Sequence, residues 1–129
     1  MGDRRSIVKS ALMKTAVPAL RERGFTGAFP HFRRRRLKSL ELLSFQFDKW
    51  GSGDFVVEIA KCPGDGFTTS WGEFIPPSKV NVPYLHPRLR LGAKGEDSDH
   101  WFKFRRLSAE CAKIVQLIDT QAEQWWHAG

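Results

Sequence analysis

Two alternating runs joined by a glycine-rich turn constrain this chain more than any other feature. In the first, over residues 40–48, Leu43, Phe45 and Phe47 take one side, and Ser44, Gln46 and Asp48 the other. In the second, Phe55, Val57 and Ile59 alternate with Val56, Glu58 and Ala60. An extended chain projects successive side chains to opposite faces, so each run reads as a strand. Trp50-Gly51-Ser52-Gly53 between them supplies a flexible hairpin loop.

The flanking sequence decides what covers that hairpin. From Asp3 to Arg23 the apolar residues Val8, Leu12, Ala16, Ala19 and Leu20 recur at helical spacing, with Asp3 as the N-cap and Gly24 just past the end. Pro18 predicts a kink or break near residue 17. Phe25 to Arg36 reads as extended, with Pro30 marking an edge strand or a strand start, because proline cannot donate to a ladder. Residues 62–87 are rich in Gly and Pro, and are either a structured binding loop or contain a short strand around Phe67–Phe74. Short strands are expected at Arg88–Leu91 and His100–Phe104. A final helix follows, with Leu107, Cys111, Ile114, Ile118, Ala122 and Trp125 as its apolar stripe. No βαβ crossover occurs in this order. The expectation is one α+β domain over residues 1–129: an antiparallel sheet of about five strands with an N-terminal and a C-terminal helix packed against it. Leu43, Phe45, Phe47, Phe55, Val57, Ile59, Ile114 and Ile118 are the expected core.

Charge is distributed unevenly. Residues 1–38 hold eleven Lys or Arg against Asp3 and Glu22, a formal +9, whereas the remainder holds ten basic and twelve acidic side chains, a formal −2. Such a field attracts an acidic protein or a phosphate-bearing ligand, nucleic acid being the less supported case. Its most distinctive element is Arg33-Arg34-Arg35-Arg36. On a strand, Arg33 and Arg35 project to one face and Arg34 and Arg36 to the other. Burying an unpaired guanidinium is prohibitive, so one pair must meet carboxylates or lie where the strand leaves the sheet. Glu41, Asp48 and Glu58 are the carboxylates within reach on neighbouring strands. Unpaired arginines would instead form a phosphate clamp, since the guanidinium fork binds phosphate oxygens bidentately.

A second grouping is Trp71 with His86, Arg88 and Arg90, and with His100 after Asp99. Aromatic walls and a few convergent polar groups are what a small-ligand pocket needs, and the same rings also serve to pin a long loop. Catalysis has little to rest on. Asp99 and His100 are adjacent on an extended segment and point apart, and no nucleophile elbow, phosphate loop or dinucleotide fingerprint is present. No catalytic residue, metal site or cofactor is expected. Cys62 and Cys111 form no CxxC pair, which suits free thiols in a reducing compartment, the cytoplasm by default. No secretory signal or membrane-spanning run is visible. Met1-Gly2 through Ser6 fits the loose myristoylation pattern, with acidic Asp3 against it.

Several short segments together resemble a known bacterial family, the one defined by domain of unknown function 4304. They are Leu20 through Arg23-Gly24-Phe25, Phe29-Pro30-His31-Phe32-Arg33, Leu43-Ser44-Phe45-Gln46, and Arg90-Leu91-Gly92. The resemblance implies a cytoplasmic bacterial α+β domain with no assigned activity, and it transfers no catalytic residue. The long arginine run and the proline-rich stretch over 76–87 depart from the family pattern. Together these features suggest a non-catalytic binding or interaction module with a basic face. The alternatives are an immunity-type partner that neutralises a bacterial toxin, or a small-ligand enzyme centred on His86, Arg88 and His100.

Overall fold

The computed structural model describes residues 3–128, so the Gly2 acceptor of the myristoylation pattern lies outside the described residues. Helix α1 (Arg4–Lys14) starts where the Asp3 side chain accepts a hydrogen bond from the Arg5 backbone N–H at 3.1 Å. It stops at Thr15, and α2 (Ala16–Glu22) resumes at once. The break falls two residues before the expected kink, because Pro18 sits in the first turn of α2, where its missing N–H would have had no intrahelical partner. Beyond α2, Gly24 takes φ +90°, a left-handed conformation that turns the chain into the sheet.

The sheet contains β1 (Thr26–Ala28), β2 (His31–Arg35), β3 (Ser39–Phe47), β4 (Phe55–Pro63) and, beyond two short strands described below, β7 (Leu89–Arg90). Its order is β1-β2-β3-β4-β7, antiparallel throughout. Five strands are expected and five form, but not from the same segments. Phe25–Arg36 divides at Phe29-Pro30, where proline interrupts the ladder, into a short edge strand and β2. The His100–Phe104 segment contributes one bridge, between Phe55 and Phe102, and then turns into a 3-10 turn at Phe104–Arg106.

Alternation sorts the side chains as the sequence suggests. Phe32, Leu43, Phe45, Phe55, Val57 and Ile59 point to one side and pack under α1, α2 and the C-terminal helices. All eight expected core residues belong to this cluster, with Phe47 at its margin. Phe25, Phe32, Phe45, Phe55, Phe102 and Trp126 fill a small interior efficiently. Phe29, Phe32 and Phe45 pack ring to ring at 5.3 and 6.1 Å, and Phe55 stacks on Phe102 at 5.6 Å. The opposite side carries Leu40, Leu42, Ala60 and Cys62, covered by the 63–87 segment through Ile75, Val80, Val82 and Leu85. That segment holds a hairpin of β5 (Phe67–Thr68) and β6 (Phe74–Ile75) and a 3-10 turn at Val82–Tyr84. The sheet is therefore sandwiched between a helical layer and a long, proline-rich loop.

The C-terminal stretch runs as α3 (Leu107–Leu117), a π turn over Ile118–Ala122, and α4 (Glu123–His127). A π turn accommodates one residue more than the α repeat. Downstream positions shift accordingly, and Trp126, not the expected Trp125, enters the core, where its indole N–H donates to Ala60 O at 3.1 Å.

Candidate functional site

The four arginines of β2 and its end divide by face into two chemically different pairs. Arg34 and Arg36 turn toward the helical layer. The Arg34 side chain, 9% exposed, donates through Nε to Glu41 Oε1 at 2.8 Å, and Glu41 is 2% exposed. Its Nη2 donates to Glu123 Oε1 on α4, and Nη1 to Arg23 O at 3.0 Å. Arg36 completes the network, with Nε 3.2 Å from Glu41 Oε1 and Nη2 3.5 Å from Glu123 Oε2. The Arg34 guanidinium also lies 4.6 Å from the Phe25 ring centroid and 5.4 Å from that of Trp126. Of the three carboxylates expected to meet the run, only Glu41 does. Asp48 caps the hairpin loop through Ser52, Glu58 pairs elsewhere, and Glu123 joins from a helix that strand-neighbour reasoning does not reach.

Arg33 and Arg35 turn to the loop side, and their partners are neutral. Arg33 Nη2 donates to Val80 O at 3.3 Å and to Asn81 Oδ1 at 3.2 Å, and Arg35 Nη2 donates to Gly64 O at 2.7 Å. Lys38 lies against Gly64 as well, its backbone O accepting from Gly64 N at 3.0 Å. Arg33 and Arg35 thus follow one another along a single face of the sheet, and the exposed Lys38 lies beyond the end of β2. Among the described residues, Arg23, Arg34 and Arg36 are the only members of the eleven early cations that pair with a carboxylate. Arg23 is held by Asp119, whose carboxyl is lowered below the ordinary range chiefly by the Arg23 hydrogen bond.

On the same face, His31, Ser44, Glu58 and Arg90 form a polar row across the four strands β2, β3, β4 and β7. His31 Nδ1 and Ser44 Oγ are 2.8 Å apart. Glu58, 8% exposed at the side chain, sits 3.2 Å from Arg90 Nε and 4.0 Å from Arg88 Nη1. It floors a cleft of about 570 Å³ walled by His86, Pro87 and the 96–99 loop. The cleft gathers His86, Arg88 and Arg90 of the second sequence grouping and leaves out the other two members. Trp71 is exposed near the tip of the β5–β6 hairpin. His100 faces the helical layer, its ring 4.7 Å from that of Phe102 and against the Gly92 backbone.

A family model described as Domain of unknown function (DUF4304) matches residues 16–128, nearly the whole chain. The chain belongs to the DUF4304 family. No curated protein and no solved structure matches it.

Two other groups of this DUF4304 chain have the elements of chemistry without the arrangement. Glu41, Glu123 and His127 bring possible ligand atoms within 4.8 Å of one another, but Arg34 and Arg36 already occupy both carboxylates. A metal ion there would have to displace two guanidinium groups from the carboxylates they already neutralise. Cys62 is buried beneath the loop, and burial pushes its thiol up to about 11, so it is no thiolate nucleophile near neutrality. The His31 imidazole beside Ser44 is lowered by burial and by Arg33, both of which disfavour its charged form. That contact between a hydroxyl and an imidazole is hidden in the sequence, because it depends on the β2–β3 register. Ser44 itself is buried, which denies a substrate access to its hydroxyl.

Proposed function

We propose that this DUF4304 member is a bacterial, cytoplasmic, non-catalytic binding module, and that the row Arg33, Arg35 and Lys38 engages an acidic or phosphate-bearing partner. One observation supports the reading above the others: the two guanidiniums are positioned by neutral carbonyl and amide oxygens. A carbonyl fixes a guanidinium without cancelling its charge, so the row keeps its field and loses little side-chain freedom when a partner arrives. Arg34 and Arg36, in contrast, are matched internally and belong to the fold. Two unpaired, buried cysteines agree with a reducing compartment. An immunity-type role against a basic nuclease would call for an acidic face, which this row is not.

The test is binding of inorganic polyphosphate and of an aspartate-rich peptide at about 50 and 200 mM salt, in the wild type and in R33Q/R35Q/K38Q. Each lost phosphate contact lowers the salt slope by about one, so the triple variant should lose about two to three units of slope and at least tenfold in affinity. Preference between the two probes identifies the partner class. Binding that ignores both salt and the three substitutions would refute the proposal.

A further inference from the structure

The cleft above Glu58 is a second site with a different charge pattern, and its two arginines are not equivalent. Arg90 is committed: Nε lies 3.2 Å from Glu58 Oε2, Nη1 donates to Asp99 Oδ1 at 2.8 Å, and the guanidinium lies 5.5 Å from the Trp101 ring centroid. Arg88 is not. Its nearest carboxylate oxygen, Glu58 Oε1, is 4.0 Å away, its side chain is 31% exposed, and among the described residues it makes no side-chain hydrogen bond. A guanidinium without hydrogen-bond partners at the wall of a cleft is a ready donor site for a carboxylate, which it can hold with two parallel N–H groups.

The rest of the lining has the opposite sign. Glu58, Glu96, Asp97 and Asp99 face two guanidiniums, a formal −2 for the carboxylates and arginines. Glu96 accepts only the Trp125 indole N–H, at 2.9 Å, and among the described residues neither Glu96 nor Asp97 has a cation within ion-pair distance. A simple anion would meet Arg88 and be repelled by the rim. A simple amine would satisfy the rim and leave Arg88 unused. A molecule with one carboxylate and two cationic groups satisfies both, and a volume of about 570 Å³ accepts one of amino-acid size. We propose that this cleft binds a free basic amino acid, with its carboxylate on Arg88 and its cationic nitrogens toward Asp97 and Glu96. The β2 row takes no part, so this site and the basic face stand or fall separately.

The experiment is titration of the full chain, followed by heteronuclear NMR, with L-arginine, L-argininamide, Nα-acetyl-L-arginine and inorganic phosphate, each to about 10 mM, where even millimolar affinities register. L-Arginine should shift the amides of residues 86–90 and 96–99. Capping its carboxylate should weaken binding by about tenfold, and capping its ammonium by a similar factor. In R88Q the acid and the amide should bind equally, and in D97N the distinction between them should persist while both weaken. Should R88Q fail to fold, the ligand series on the wild type decides alone. The proposal is overturned if L-arginine leaves these amides unmoved, if the amide binds as well as the acid, or if phosphate binds more tightly than either.

Discussion

Arg34 is placed by its neighbours more than by its own sequence context. Its guanidinium satisfies a nearly inaccessible Glu41, reaches Glu123 from 89 positions away, and lies over two aromatic rings. Removing one member of a buried pair leaves the other charge without compensation, which typically costs about 3–5 kcal/mol. R34M should therefore lower stability by about 3 kcal/mol in urea denaturation, whereas R35Q, whose partner is a carbonyl near the surface, should cost under about 1 kcal/mol. Equal losses at the two positions would contradict the division of the run into carboxylate-paired and neutral-partnered members. That division is half legible in the sequence, where strand alternation alone separates odd from even arginines. Which pair finds carboxylates is not legible, because Glu123 comes from a helix far along the chain and no local pattern announces it.

At the scale of elements, the strong periods survive and the weak ones do not. The alternating runs over residues 43–48 and 55–60 fall in β3 and β4, which the structure pairs over nine residues each. The 100–104 segment has little more than Trp101 and Phe102 to recommend it, and it yields one bridge. The cleft is partly visible in the sequence as His86, Arg88 and Arg90, but its floor, Glu58, reads there as an ordinary outward strand residue. Only the β4–β7 register sets it opposite Arg90. The π turn is likewise silent in the sequence, and it makes a specific prediction. Since it holds one residue beyond the α repeat, deleting exposed Thr120 should return Ile118–Glu123 to α geometry with Trp126 still in the core. The variant should stay within about 1 kcal/mol of the wild type and keep its far-ultraviolet circular dichroism. A melted C-terminal helix would show that the extra residue is required.

Across the whole molecule, the two histidines set against opposite faces of the sheet couple stability to pH in the same direction. His31 is lowered by burial and then by Arg33, and His100 by burial and then by Lys113, with Glu110 partly opposing. The charged groups around them are mostly cationic, since Arg106 and Lys103 also bear on His100. Each imidazole titrates below 6.5 in the folded chain and near 6.5 once unfolded. In the window just below 6.5 the unfolded chain therefore binds more protons, and stability rises with pH there. The contribution is fully present above pH 6.5 and is lost as pH falls through the folded values. Urea denaturation between about pH 7.5 and 5.5 should show ΔG declining on acidification, by at most about 1.4 kcal/mol per pH unit for each histidine. H31N and H100Q should each flatten the profile, and the double variant should remove most of its slope above about pH 5. A profile as steep in the double variant as in the wild type would refute this assignment, and Asp119, lowered by Arg23, would not account for it. That carboxylate acts in a separate range: its contribution is present above about pH 4 and disappears only below it.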